Sequence, residues 1–321
     1  MSRQQATDPP QLGPRIGFDG HVVLTGSCSW TDRTLLEQAS WYPRRTMSAA
    51  ERLRFYAEQF PLTEIDSTYY APPSEQQAGL WAERTPDGFR FDVKAYSLLT
   101  GHPTRHASLW RDMREGLSPE AQAKRNVYAK DLRAEALDEA WRRFEVALRP
   151  LHEADRLGAV LFQYPPWFAP ARKNRAELEA LRERLPDYRV SVEFRSPTWL
   201  AEERDRERTL ALLEDHGLVL VCVDAPEVSR LPRLFAVTNP DLLVVRLHGR
   251  SESTWAGTSR SAAERFRYLY SDAELQQLAE PIAEVAHGAR ESHVLTNNCY
   301  RDYAVRNAAR LRDLIALDLG D

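Results

Sequence analysis

The sequence predicts an α/β protein: a (β/α)8 TIM-type barrel in a single domain, with a helical excursion after the third strand. Three observations lead there. First, five short segments alternate ionisable and apolar residues: Thr63-Glu64-Ile65-Asp66, Phe91-Asp92-Val93-Lys94, Val190-Ser191-Val192-Glu193-Phe194-Arg195, Val221-Cys222-Val223-Asp224 and Val245-Arg246-Leu247-His248. Strand side chains alternate faces, so each segment sends its ionisable groups one way and its apolar groups the other. Second, long helical stretches separate these segments, which suits a barrel with helices over an apolar outside and charge converging inside. Third, the chain has 321 residues, 43% hydrophobic and 10% aromatic, enough for one large core, and a barrel of this length is usually one domain. A doubly wound open sheet is the main structural rival.

In chain order, residues 1–20 are polar and carry Pro9, Pro10 and Pro14; they are expected to form a flexible tail ahead of a barrel domain over 21–321. The first strand is expected at residues 21–26. A helix follows over 48–59, with Ser48 as N-cap and Glu51 three residues on, the capping-box spacing. The second strand covers 62–67, a helix 74–84 stops before Pro86, and the third strand covers 89–95. Residues 102–130 are charged and weakly periodic, and read as a long excursion on one rim, a candidate lid. Helix 134–154 places Leu137, Trp141, Phe144 and Leu148 on one face. The fourth strand, 158–163, is halted by Pro165-Pro166. Helix 176–185 leads to the fifth strand at 189–195. Helix 205–216 ends at Gly217, a natural C-cap, before the sixth strand at 218–224. The seventh strand is 242–248. Helix 272–287, the eighth strand at 292–297 and a last helix at 304–317 close the chain.

Composition narrows the function classes. The formal net charge is −4, so no global basic field recruits nucleic acid, although a local basic patch is compatible with it. Three cysteines are too few for a disulfide framework and point to a reducing compartment. The N-terminal stretch lacks the apolar core of a signal peptide, and no apolar run is long enough to span a bilayer. A cytoplasmic protein without a membrane partner is the expectation.

Barrel active sites lie at the C-terminal strand ends. Glu64, Glu193, Asp224 and His248 stand there as candidate catalytic groups. Trp30, Asp66, Tyr69, Lys94, Gln163, Arg195, Arg246, Asn297 and Asn298 are candidate substrate-binding groups. Their charges nearly cancel, so burial in opposite pairs is feasible and would displace pKa values. The competing explanation is a set of structural ion pairs, strongest for Asp92, which lies further from the mouth. Glu64, Asp66, Glu193, Asp224 and His248 are donor types that suit a divalent cation. A metal is not favoured, because only one histidine reaches a strand end and no His-Glu-x-x-His spacing occurs. Cys28 and Cys299 follow the first and last strands, which adjoin in a closed barrel, but buried inert thiols are far commoner than reactive ones. Tyr70, Tyr96, Tyr164, Trp167, Trp199 and Trp255 add aromatic rings near the same rim. With Arg195, Arg246 and Arg250 they could stack on a sugar or base while an anion is held; the bland alternative is that they seal the barrel mouth.

The chain resembles the YecE-like family, domain of unknown function 72. The resemblance is carried in order by Gly26-Ser27-Cys28-Ser29-Trp30, Tyr42-Pro43, Arg54-Phe55-Tyr56-Ala57, Glu64-Ile65-Asp66-Ser67-Thr68-Tyr69-Tyr70 and Thr85-Pro86-Asp87-Gly88-Phe89. It continues through Gly158 to Pro166, Val192-Glu193-Phe194-Arg195, Val223-Asp224-Ala225-Pro226, Arg246-Leu247-His248-Gly249-Arg250 and Asn297-Asn298-Cys299. It implies a TIM-type barrel and brings no settled reaction. Thr296 stands where an aromatic is expected, and Asp66 where asparagine is frequent.

The expected function is an enzyme, a hydrolase, lyase or isomerase, using acid–base chemistry on a phosphorylated or sugar-containing small anion. Arg195, Arg246 and Lys94 would hold anionic oxygens, Glu64 or Glu193 would act as base, and His248 as acid or electrophile. The alternatives are a nucleic-acid-binding phosphodiesterase similar to barrel-type repair endonucleases, an analogy of fold alone, and a non-catalytic ligand-binding barrel. The sequence names no cofactor and no oligomeric state.

Overall fold

A computed structural model describes residues 11–252 and 266–320. Eight parallel strands close into a barrel: β2 (His21–Ser27), β3 (Leu62–Ile65), β4 (Arg90–Lys94), β7 (Leu157–Tyr164), β8 (Val190–Phe194), β9 (Val219–Asp224), β10 (Leu242–Leu247) and β11 (Glu291–Thr296). Each pairs with its sequence neighbour in this series, and β11 returns onto β2, so the open-sheet alternative does not hold. The β2–β3 seam is short, with only Gly26↔Leu62 and Ser27↔Thr63 in register, as is β8–β9 with two pairs. A Cβ on Gly26 would sit 1.9 Å from the Leu62 carbonyl oxygen, so the residue must be glycine for these strands to meet.

Two apolar populations follow from strand alternation. Leu220, Cys222, Leu243, Val245, Val160 and Phe162 join the large cluster under the surrounding helices. Val219, Val221, Val223, Ala159, Leu161, Leu242 and Val244 form a separate cluster inside the barrel. The helices include Ala49–Gln59, Ala134–Glu153, Arg172–Arg184, Glu203–Asp215, Asp272–Ala286 and Tyr303–Leu319. The capping box at Ser48 and Glu51 is present. Thr296, the departure from the family pattern, donates its hydroxyl to Gly26 and Ala304 carbonyls and so ties β11 to β2 and to the last helix. Among the described residues no helix is long and apolar enough to cross a membrane.

One expectation needs correction and one refinement. Residues 16–18 are not tail: β1 (Ile16–Phe18) pairs antiparallel with β2, and Ile16 is buried. Three residues are too few for periodicity to reveal. The excursion after β4 is partly helical, as expected, but it is more closely packed than its weak periodicity suggests. It folds into turns, short helices (Arg111–Glu115, Pro119–Gln122) and a two-stranded antiparallel sheet of β5 (Thr104–Arg105) and β6 (Asn126–Val127). Leu109, Met113, Leu117, Ala121 and Val127 bury into the main core. The first four recur every fourth residue, but Gly116 and Ser118-Pro119 break the stretch into two short helices, which is why the sequence reads as irregular.

The N-terminal end of the barrel holds its own ionic network. His293 bonds Asp92 at 2.9 Å through Nδ1 and Glu291 at 2.9 Å through Nε2. Arg189 reaches Glu291 at 2.8 Å. Asp92 is thus structural, as its distance from the mouth implied. A Cβ on Gly158 would meet the Asp92 carboxylate at 2.4 Å, so the network needs glycine there. Burial pushes the His293 pKa down, but Asp92 and Glu291 outweigh it and hold it above the ordinary value. A raised histidine stabilises fully below its unfolded pKa, about 6.5, and the contribution fades as pH rises through the folded one. His293→Gln should therefore destabilise by about 3 kcal/mol at pH 6. The gap to wild type in thermal unfolding should narrow toward pH 9; a gap independent of pH would remove the charged histidine from the account.

Candidate functional site

At the opposite rim, inward positions of five strands and the turns after them meet. Alternation along β3 puts Glu64 inward; the next inward position, Asp66, opens a 3-10 turn (Asp66–Tyr69). β4 ends on Lys94, β7 carries Gln163, β8 carries Glu193 with Arg195 beyond it, and β10 carries Arg246 with His248 beyond it. Asn297 follows β11.

Arg246 is the centre. Its Nη2 donates to Glu64 Oε1 at 2.7 Å and its Nη1 to Glu193 Oε2, and all three side chains are fully buried. Nη2 also lies 3.7 Å from the Cys28 sulfur. Glu193 is saturated. Its Oε1 takes Arg195 Nε at 2.7 Å, Gln163 Nε2 at 2.8 Å and His248 Nε2 at 3.0 Å. Asn297 donates its amide to His248 Nδ1 at 2.9 Å, which leaves Nε2 to carry the ring hydrogen toward Glu193. Lys94 pairs with Asp66 at 2.7 Å and lies 4.8 Å from the Tyr69 ring centre.

The two buried glutamates differ sharply. Burial pushes the Glu193 carboxyl up, but Arg195, Arg246 and His248 outweigh it and hold it well below the usual range. Burial pushes Glu64 up to about 7, against the pull of Arg246. The cause is visible in the bonding: Glu64 Oε2 is buried without a hydrogen-bond partner. Burial and the neighbouring Arg195 lower the His248 pKa to about 3, so its ring is neutral near pH 7.

Beside this cluster is a cavity of about 470 Å³, lined among others by Cys28, Trp30, Glu64, Asp66, Tyr70 and Asn297. Trp30 packs edge-on against Trp81 and Phe91 and forms part of its wall. Gln163, Glu193, Arg195, Arg246 and His248 do not line the cavity, so of the charged cluster only Glu64 and Asp66 border it.

Asp224 does not join the cluster. On β9 the inward set is Val219, Val221 and Val223, so Asp224 points outward. There it takes Arg250 at 2.9 Å, Arg233 at 2.9 Å and the Tyr270 hydroxyl at 2.7 Å. Its place at a strand end is right and its parity is wrong for the mouth. Arg250, engaged with Asp224 and Glu274, belongs to this outer latch. Asn298 likewise faces away: its amide donates to the Tyr268 carbonyl and to Asn307 of the last helix. Tyr96, Tyr164 and Trp199 are core residues, and Trp255 lies outside the described residues. Two further histidines, His102 and His293, carry no clear signal in the sequence. The first sits in the irregular excursion, and the second stands mid-strand without an acidic neighbour at alternate spacing beyond Glu291. Among the described residues no group of three or more His, Cys, Asp or Glu side chains is placed to hold a metal ion.

A carboxyl raised by burial favours the fold at low pH, and that contribution is lost as pH rises from its unfolded pKa, about 4.3, to the folded one near 7. Glu64→Gln removes that titration. Its stability relative to wild type should climb by on the order of 3 kcal/mol between pH 4.5 and pH 8 in urea unfolding. A constant difference would mean that Glu64 ionises normally.

The comparisons with known proteins agree with this architecture. The family model described as "Protein of unknown function DUF72" matches residues 24–320. UPF0759 protein YunF of Bacillus subtilis is 27% identical over 302 residues, covering 92% of this chain and 96% of that protein. The crystal structure of a DUF72 family protein from Thermotoga maritima is 29% identical with a TM-score of 0.70, over 91% of this chain and 98% of that one. Another from Enterococcus faecalis is 25% identical with a TM-score of 0.72, over 91% and 95%. The chain, a parallel barrel with a cluster of ionisable groups at one rim, belongs to the DUF72 family.

Proposed function

We propose that the barrel is an enzyme that carries out acid–base chemistry on a small phosphorylated or sugar-containing anion, with Glu64 as the proton carrier. The observation that carries this reading is Glu64 itself. One oxygen is fixed on Arg246, the other has no partner, the side chain borders a cavity, and its pKa of about 7 allows both protonation states near neutrality. Catalytic acids and bases work best with pKa values near the operating pH. Structural carboxylates do not need an unsatisfied oxygen, which costs free energy when buried.

Glu193 is the scaffold rather than the base. It stays ionised and holds Arg195, Arg246, Gln163 and His248 in place. His248 is not an acid near neutral pH, because its ring is already neutral. It orients Glu193 and is oriented by Asn297.

Charge supports an anionic ligand. Lys94, Arg195 and Arg246 face Asp66, Glu193 and Glu64. The set is neutral with Glu64 ionised and carries one net positive charge with Glu64 protonated. An incoming anion therefore favours protonated Glu64, which can then donate from the unbonded oxygen to a ligand oxygen. Lys94 and Arg195 do not line the cavity that Glu64 borders, but both are partly exposed, so an anion held by them lies beside that cavity.

The test is turnover on a panel of sugar phosphates and sugar acids. Glu64→Gln should lower kcat by about 10²–10⁴-fold, and the wild-type rate should show an inflection near pH 7. Lys94→Met should chiefly raise KM. Unchanged turnover in Glu64→Gln would sink the assignment; tight binding with no turnover across the panel would favour a ligand-binding barrel.

A further inference from the structure

Two large aromatic rings stand out in solvent beside this mouth. Tyr70 is 59% exposed and Trp167 is 61% exposed. Each lies four residues beyond an inward polar group of its own strand, Asp66 for Tyr70 and Gln163 for Trp167. Neither ring is exposed through a loose chain. Tyr70 ends the 3-10 turn after β3, its N–H bonded to the Ser67 carbonyl at 3.0 Å. Trp167 follows Pro165-Pro166, and the next residue, Phe168, is buried and stacks on Tyr164 at 3.9 Å. The Phe168 N–H closes the turn on the Pro165 carbonyl at 2.9 Å. Burying Phe168 thus directs Trp167 outward.

Between the two lie Tyr69 and His102. Tyr70 meets Tyr69 at 5.1 Å, Tyr69 meets His102 at 5.3 Å, and His102 meets Trp167 at 6.1 Å. The arc passes the ammonium of Lys94, 4.8 Å from the Tyr69 ring. His102 is neutral: burial, with Lys94 and Arg195 nearby, lowers its pKa to about 4. The arc is therefore an uncharged aromatic edge on a mouth that presents cations. Exposed aromatic rings held rigidly cost little entropy when they stack on a ligand.

We propose that the aromatic arc running from Tyr70 through Tyr69 and His102 to Trp167 is a stacking surface for a planar ring joined to the anionic group held at Lys94 and Arg195, as in a nucleoside monophosphate. This rests on the anion-binding part of the proposed function and adds the class of the remaining ligand.

Calorimetric titration of the full chain with inorganic phosphate, ribose 5-phosphate and adenosine 5′-monophosphate tests it. The nucleotide should bind at least about tenfold more tightly than the other two, from the usual worth of base–aromatic stacking. One of the two variants, Trp167→Ser or Tyr70→Ala, should remove most of that advantage and leave phosphate affinity unchanged, which identifies the end of the arc the ring meets; an advantage kept in both would overturn the subsite. Both rings are exposed, so thermal unfolding should confirm intact folds. Equal affinity for ribose 5-phosphate and the nucleotide would overturn the planar-ring subsite alone. So would variants that weaken phosphate and nucleotide alike. If none of the three binds the wild type, the anion-binding reading falls and this inference with it.

Discussion

The mouth of the barrel depends on one guanidinium. Arg246 sits between Glu64 and Glu193 with no solvent exposure on any of the three side chains. Moving each ion out of water carries a penalty of several kcal/mol, which only close opposite charge and further hydrogen bonds offset. The residues come from β10, β3 and β8, strands that no local sequence contact brings together. Closure of the barrel is therefore the condition for the pairing, and the pairing in turn makes any other register costly. Replacing one partner would leave a buried charge uncompensated.

That constraint explains why two chemically identical carboxylates behave differently. Glu193 receives Arg195, Gln163, His248 and Arg246 across its two oxygens. Glu64 receives Arg246 on one oxygen and nothing on the other. Burial acts on both, but only one has donors enough to remain comfortably ionised. The same molecule contains two further buried ionic groups that are well coordinated: Asp92 with His293 and Glu291 at the far end of the barrel, and Asp224 with Arg250, Arg233 and Tyr270 outside it. The incompletely coordinated acid is the one beside a cavity. Arg246 Nε is buried without a partner too, but among the described residues Glu64 is the carboxylate left with an unpartnered buried oxygen, as a site prepared for a ligand's donor would be.

Much of this was legible in the chain. Alternation of charge and apolar side chains placed β3, β4, β8, β9 and β10, and the intervening helical periodicity indicated a parallel, helix-covered barrel. Glu64, Lys94, Glu193, Arg195, Arg246 and His248 could be named because each occupies an inward position at or just past a strand end. The same rule failed at Asp224. The repeat Val-Cys-Val-Asp has apolar residues on both parities, so alternation cannot say which face is inside. Asn297 and Asn298 are adjacent and must point apart; one holds His248, the other a helix. The pairing of β5 with β6 and the short β1 are set by long-range contacts rather than by period.

The sequence by itself determined the fold class, the strand order and the residue types gathered at one rim, because face alternation and strand polarity are local consequences of backbone geometry. Only the tertiary structure decided which acid is saturated and which is left open. Proton affinity inside a protein depends on how many donors and charges converge on each oxygen, and those donors arrive from strands and loops distant in the chain.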